Sequence, residues 1–190
     1  MSTKKNLLIP EAALSDLKNG WLLLDTDVII DAAKFADSFD IFFSDLEQAD
    51  CTVVTISSVV VEFLRGAKSI KDMRAKTSLI ENIATVIPTG EMTSNMGAVD
   101  LIDPGFLVAY GREAKGVSYT DYLLGKTVKN FEGKMWLMTG NHKDFPATIF
   151  QRDHIVTLNI EDDVRAYSIL GFSKERYGQT LNVLLSQQKN

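Results

Sequence analysis

A chain of 190 residues, 45% of them hydrophobic, is long enough to build one full core and is expected to form a single domain. Its one cysteine, Cys51, excludes an internal disulfide and a cysteine-based zinc cluster, and no apolar run is long enough to span a bilayer. The formal charge of −5 argues against passive nucleic-acid binding, but not against a nuclease, because bound divalent cations reverse the local charge of an acidic site.

The N-terminal apolar stretch ends at once in Pro10-Glu11, so a signal peptide is not expected and a cytoplasmic location is the simplest reading. A short helix is expected over 7–18, with Pro10 at its start and Gly20 past its end. Trp21-Leu22-Leu23-Leu24 reads as a fully buried parallel strand running straight into Asp25. A helix over 28–35 follows, and Ser38 is placed to cap another through 49. The β-branched run 51–56 predicts a second strand, with Ser57 as the cap of a helix that carries Glu62 and stops at Gly66. A helix over 70–84 and a short strand at Val86-Ile87 come next, closed by Pro88.

Residues 89–105 hold two glycines and an Asp103-Pro104 turn signal, with a helical stretch expected within 92–101. A helix over 106–115 stops at Gly116, and Ser118 or Thr120 caps the next, over 121–129. Residues 134–139 read as another buried strand, 140–146 as a loop and 155–158 as the last strand. Helices are expected over 161–170 and 174–186, with Gly171 between them. Strands alternating with helices predict an α/β fold: a three-layer α/β/α sandwich with a mostly parallel central sheet.

Ligands of such sheets sit outside the carboxyl ends of the strands. Acidic or amide side chains fall there at Asp25, at Glu62 just after the second strand, at Asp121 opening a helix, and at Asn141 and Asp144 in the loop after the Trp136 strand. Converging carboxylates repel one another and are costly to desolvate, and a hard divalent cation such as Mg²⁺ or Mn²⁺ is their natural stabiliser. The apolar neighbours of Glu62 point it into a crowded region, where a carboxylate needs a partner or a metal. Asp27 and Asp31 are expected to act mainly locally, His142 to be solvated, and Thr26 and Thr139 to fix carboxylate rotamers by hydrogen bonds.

These stretches resemble the motifs of the PIN-domain nucleases, in the family's order. Leu23-Leu24-Asp25-Thr26-Asp27 is similar to the opening motif, with Asp27 where Asn or Ser is more usual. The stretch around Glu62-Phe63-Leu64-Arg65-Gly66 looks like the second motif, Ser118-Tyr119-Thr120-Asp121 like the third, and Thr139-Gly140-Asn141-His142-Lys143-Asp144-Phe145 like the fourth. The resemblance implies a PIN-like domain with its core at about 21–158 and helical extensions at both ends of the 190 residues. It implies a metal-dependent endoribonuclease, of the kind found as toxins of VapBC toxin–antitoxin pairs and among RNA-processing enzymes. Asp25, Glu62 and Asp121 match the metal-holding positions, Asp144 is a fourth candidate ligand, and Asn141 aligns with the position just after the strand. RNA as substrate, a homodimer and an antitoxin protein as partner are implied in the same way.

Two alternatives remain open from the residues. Leu23-Leu24-Asp25-Thr26-Asp27 also fits the nucleophile motif of HAD-like phosphatases, with Asp25 as nucleophile, Asp27 as acid/base, and Thr139 and Glu161-Asp162-Asp163 as later motifs. The absence of a Gly-containing loop after Asp27, and the lack of any role for Glu62, argue against it. The other is a non-catalytic PIN-like interaction domain, suggested by Asn141 standing where a fourth carboxylate is usual.

Overall fold

The computed structural model describes residues 7–88, 103–113, 117–160 and 163–187. The helix expected within 92–101, together with Glu161 and Asp162, lies outside them. The chain runs β1 (Leu7–Leu8), α1 (Glu11–Leu17), β2 (Trp21–Leu24), α2 (Thr26–Lys34), α3 (Ala36–Gln48), β3 (Thr52–Ile56), α4 (Ser57–Arg65), α5 (Ile70–Ile83) and β4 (Thr85–Ile87). It continues with α6 (Pro104–Glu113), α7 (Tyr119–Asn130), β5 (Met135–Thr139), a 3₁₀ turn (His142–Asp144), β6 (Phe150–Ile160), β7 (Asp163–Phe172) and α8 (Lys174–Gln187).

One seven-stranded sheet, in the order β1-β6-β7-β5-β2-β3-β4, carries the fold. The strands β5, β2, β3 and β4 are parallel neighbours. β7 pairs antiparallel with both β5 and β6, and β1 pairs antiparallel with β6. β6 therefore points the same way as the parallel four, and the sheet is mixed, with its parallel half around β2.

The C-terminal third differs from the sequence expectation. Residues 161–170 were expected to be helical, yet Asp163–Phe172 is strand β7, and β6 starts at Phe150 and is far longer than 155–158. The reason is non-local. β6 and β7 form a long hairpin, and β7 lies between β5 and β6, where backbone groups on both of its edges are paired. Ser168 and Gly171 weaken the β signal locally, but both are buried here. A Cβ on Gly171 would sit 2.5 Å from an Asp153 carboxylate oxygen and 3.4 Å from Trp136, so any larger residue there would have to displace the Asp153 side chain.

Alternate residues of β7 face opposite layers. Tyr167 packs edge-on against Phe39 of α3, while Phe172 meets Tyr177 of α8. Helices α1 to α5 pack among themselves on the first side. Helices α6, α7 and α8 form the other, where Phe106 touches Tyr110, Tyr122, Phe150 and Tyr177. This is a three-layer α/β/α arrangement. Leu22, Leu23 and Leu24 of β2 are fully buried, worth about 1.5–3 kcal/mol each. Gly125 lets α7 approach the aromatic layer, since a Cβ there would lie 2.8 Å from Tyr110 and 3.0 Å from Phe150.

Local capping was partly foreseen. Ser118 caps α7 in a reciprocal box with Asp121, which makes α7 begin at Tyr119 rather than 121. Gly66 ends α4. Ser57 and Ser38 are not caps. Ser57 is the first residue of α4 and donates to the Ile87 carbonyl, and Ser38 is buried inside α3. Polar contacts at two places fasten the hairpin to the first helical layer. The buried Asp31 of α2 accepts hydrogen bonds from Arg165 and, at 2.8 Å, from the Tyr167 hydroxyl, while His154 of β6 meets Asp16 of α1 at 2.7 Å.

Candidate active site

β2, β3 and β5 end side by side, and a network of hydroxyls joins the elements that follow them. Asp25 closes β2 and caps α2, with one carboxylate oxygen accepting from the Thr26 N–H at 2.6 Å. Its other oxygen accepts from the Thr139 hydroxyl at the end of β5, at 2.7 Å. The Thr26 hydroxyl points the other way and donates to Glu62 of α4 at 2.7 Å. The second Glu62 oxygen accepts from the Thr120 hydroxyl of α7 at 2.8 Å. Thr139, Asp25, Thr26, Glu62 and Thr120 thus form one path across four sequence-distant segments.

Asp121 follows Thr120 and accepts the Ser118 N–H at 2.9 Å as part of the capping box. Its charge reaches Asp25, Asp27 and Asp144 alike. Asn141 and Asp144 are joined to each other through the Asn141 amide, at 2.5 Å, and the Asn141 N–H donates to Thr139 at 3.0 Å. The acidic positions expected from the sequence therefore converge on the same end of the sheet. Glu62 is tied directly into the path through Asp25, whereas Asp144 stands with Asn141 on the turn after β5.

The electrostatics follow from crowding. Asp25 is only 7% exposed, and burial pushes its carboxyl up to about 7. The Asp27 carboxylate adds to that rise and Asp121 adds less, while the Thr139 and Thr26 hydrogen bonds oppose it. Asp27 is also raised, by burial first and then by Asp31 and Asp121, against the N–H groups of Gly140 and Val28. Asp144 is raised by burial and by Asp121, with Asn141 opposing. His142, on the same turn, is pushed down by burial and by the like charges of Arg152 and Lys143.

Two residues gain roles that the sequence did not single out. The Gly140 N–H donates to Asp27 at 2.8 Å, and a Cβ on Gly140 would lie 2.5 Å from that same oxygen. Asp27 is thereby built into the site rather than acting only within its helix. The other Asp27 oxygen is buried with no hydrogen-bond partner. In the sequence Thr120 reads as an alternative cap within the third motif stretch, and its buried hydroxyl instead holds Glu62. A hydroxyl beside a motif carboxylate was the available signal.

Among the described residues, no three Asp, Glu, His or Cys side chains are grouped as a ready-made metal cage. The donor chemistry still suits a hard divalent cation: the side chains are carboxylates, the Asp27 oxygen is unpartnered, and Asp25 and Asp27 are both raised, by burial first and then by neighbouring carboxylates whose repulsion a cation relieves. Each carboxylate oxygen has two lone pairs, so those already accepting one hydrogen bond retain capacity for a cation. Asp25, Glu62, Asp121 and Asp144 are the residues that would hold it, with Asp27 beside them. No helix of the described residues is long and apolar enough to cross a membrane. Comparisons of the chain with protein-family models, with curated proteins and with solved structures found no match.

Proposed function

We propose that this protein is a PIN-like, Mg²⁺- or Mn²⁺-dependent endoribonuclease that hydrolyses RNA phosphodiester bonds at the Asp25–Glu62 site. The observation that carries this reading is the Thr139–Asp25–Thr26–Glu62–Thr120 path, because it joins all four stretches that resemble the family's motifs at one strand end. The cation supplies Lewis acidity toward the phosphate and acidifies the attacking water when bound. The protein's own part is positional. Thr26 and Thr120 fix both oxygens of Glu62, Thr139 and the Thr26 N–H fix both oxygens of Asp25, and the Gly140 N–H fixes Asp27. Asn141 holds Asp144 at the site's edge.

The same geometry weighs against the phosphatase alternative. A phosphatase has no role for Glu62, whereas here both of its oxygens are tied through Thr26 and Thr120 into the path that reaches Asp25. By the same family resemblance, we extend the proposal to a toxin-type nuclease that forms homodimers and is held by an antitoxin protein.

The test is cleavage of single-stranded and structured RNA with Mn²⁺ and with EDTA, using wild type, Asp25→Asn and Glu62→Gln. Cleavage should need the cation and vanish in both variants. Cleavage unaffected by both substitutions would sink the assignment. Aryl-phosphate hydrolysis lost in Asp25→Asn, with no RNA cleavage, would transfer it to the phosphatase. A folded protein that takes up no Mn²⁺ by calorimetry would make it an interaction domain.

A further inference from the structure

The chain is acidic overall, with a formal charge of −5, yet the ionisable groups among the described residues lining one groove beside the candidate site are all basic. It has a volume of about 620 Å³ and is lined by His142, Lys143, Arg152 and Arg176 over a floor that includes Phe145 and Phe150. Among the described residues, no carboxylate lines it. Among the described residues, none of these four side chains is in an ion pair with an acidic residue. Gathering cations without a counter-charge costs energy, and an anion supplied from outside offsets that cost.

Position adds to charge. The wall of the groove is the His142–Asp144 turn, the same turn that carries Asp144 and follows Asn141. The groove and the candidate site thus share this turn, with His142 and Lys143 on the groove and Asp144 on the site. Arg176 is anchored there by donating to the carbonyls of Ala147 and Phe150, at 3.0 and 3.1 Å, which orients a guanidinium whose fork suits phosphate. Phe145 and Phe150 are 4% and 2% exposed, so neither offers a face on which a base can stack. Recognition in this groove falls to the backbone and not to the bases.

We infer that the groove lined by Lys143, Arg152 and Arg176 binds the phosphate backbone of single-stranded RNA and leads the substrate strand to the acidic site, without sequence preference of its own. This rests on the nuclease reading for what the bound strand is there for, but not for the binding itself. The groove explains how an acidic protein holds a polyanion: cations flank the carboxylates on one side and take the phosphates next to the one that reacts.

The experiment uses the full chain carrying Asp25→Asn, so that RNA is not consumed. Fluorescence anisotropy of labelled poly(U) and of a mixed-sequence oligoribonucleotide is followed over a range of KCl concentrations. Lys143→Gln with Arg152→Gln is compared with Lys68→Gln with Lys71→Gln, a control pair of exposed lysines that changes net charge equally. The groove pair should weaken both RNAs about tenfold and flatten the slope of log affinity against log salt by about 1.4, while the control pair leaves both nearly unchanged. Lys143→Arg with Arg152→Lys should restore binding. Equal effects of the two pairs, or no effect of the groove pair, would overturn the inference. So would binding to anionic phosphatidylglycerol vesicles with none to RNA. The two readings fail separately. Groove-dependent binding without Mn²⁺-dependent cleavage by wild type leaves the groove standing and removes the nuclease. Cleavage by the groove pair with unchanged KM removes the groove alone.

Discussion

Replacing Asp25 by Asn should stabilise the protein, and only above the acid range. The folded-state carboxyl is raised from 3.8 to about 7, chiefly by burial. The folded protein therefore binds this proton more tightly than the unfolded chain does. Below about pH 4 both states are protonated and Asp25 costs nothing through ionisation; the penalty grows between about pH 4 and pH 7 and is complete above that. At 1.36 kcal/mol per pH unit, its full size is about 4 kcal/mol. Asn is neutral and nearly the same shape, but it has one acceptor oxygen where Asp has two, so one of the bonds from Thr26 and Thr139 must be re-formed with the amide as donor, at a cost of about 1 kcal/mol. The net gain at about pH 8 is roughly 3 kcal/mol. For a domain of this size that is a rise of roughly 6–12 °C in Tm. Thermal unfolding followed by circular dichroism, in EDTA and from about pH 4 to pH 8, reads the difference directly. Equal Tm differences at both ends of that range would refute the reasoning, as would a destabilised variant at the alkaline end.

Excess Mn²⁺ should raise the Tm of wild type and lower the pH at which Asp25 ionises, while the Asp25→Asn variant shows little shift; differential scanning fluorimetry compares them. Thr120→Val removes a hydroxyl from half-buried Glu62, so it should cost about 1–2 kcal/mol in urea denaturation and reduce RNA cleavage with little change in KM. Gly140→Ala should displace Asp27, because its Cβ would meet that carboxylate at 2.5 Å; loss of cleavage with an intact circular dichroism spectrum is expected. Asp31→Ala removes an acceptor that Arg165 and Tyr167 share and should destabilise the fold by about 1.5–3 kcal/mol without altering metal uptake, read by urea melts and calorimetry.

The parts of the fold that announce themselves in the sequence are those whose cause is local. Trp21 to Leu24 is a short apolar run bounded by Gly20 and Asp25, a length that suits a strand better than a helix, and it forms the strand β2 with Leu22, Leu23 and Leu24 buried. Ser118 and Asp121 sit at capping-box spacing, and the box forms. The carboxylates of the site were legible because each follows such a strand or opens such a helix. What joins them was not. Thr26 bonds Glu62 across 36 residues, and Thr139 bonds Asp25 across 114. No window of sequence contains either pair. The misread segment, 161–170, failed for the same reason: its alternation is weakened by Ala166 and Ser168, and only pairing with both β5 and β6 decides for a strand.

The placement of β7 also bears on the order in which the protein is made. Asp25, Glu62, Asp121, Thr139 and Asp144 all leave the ribosome before the β6–β7 hairpin does. Until that hairpin arrives, β5 has a partner only in β2, and its other side is a row of open backbone groups. Thr139, which steadies Asp25, sits on that unfinished strand. Vectorial synthesis therefore delivers the carboxylates early and the strand that closes the open edge of β5 late, so the Thr139 brace on Asp25 reaches its final setting only when the last strand docks.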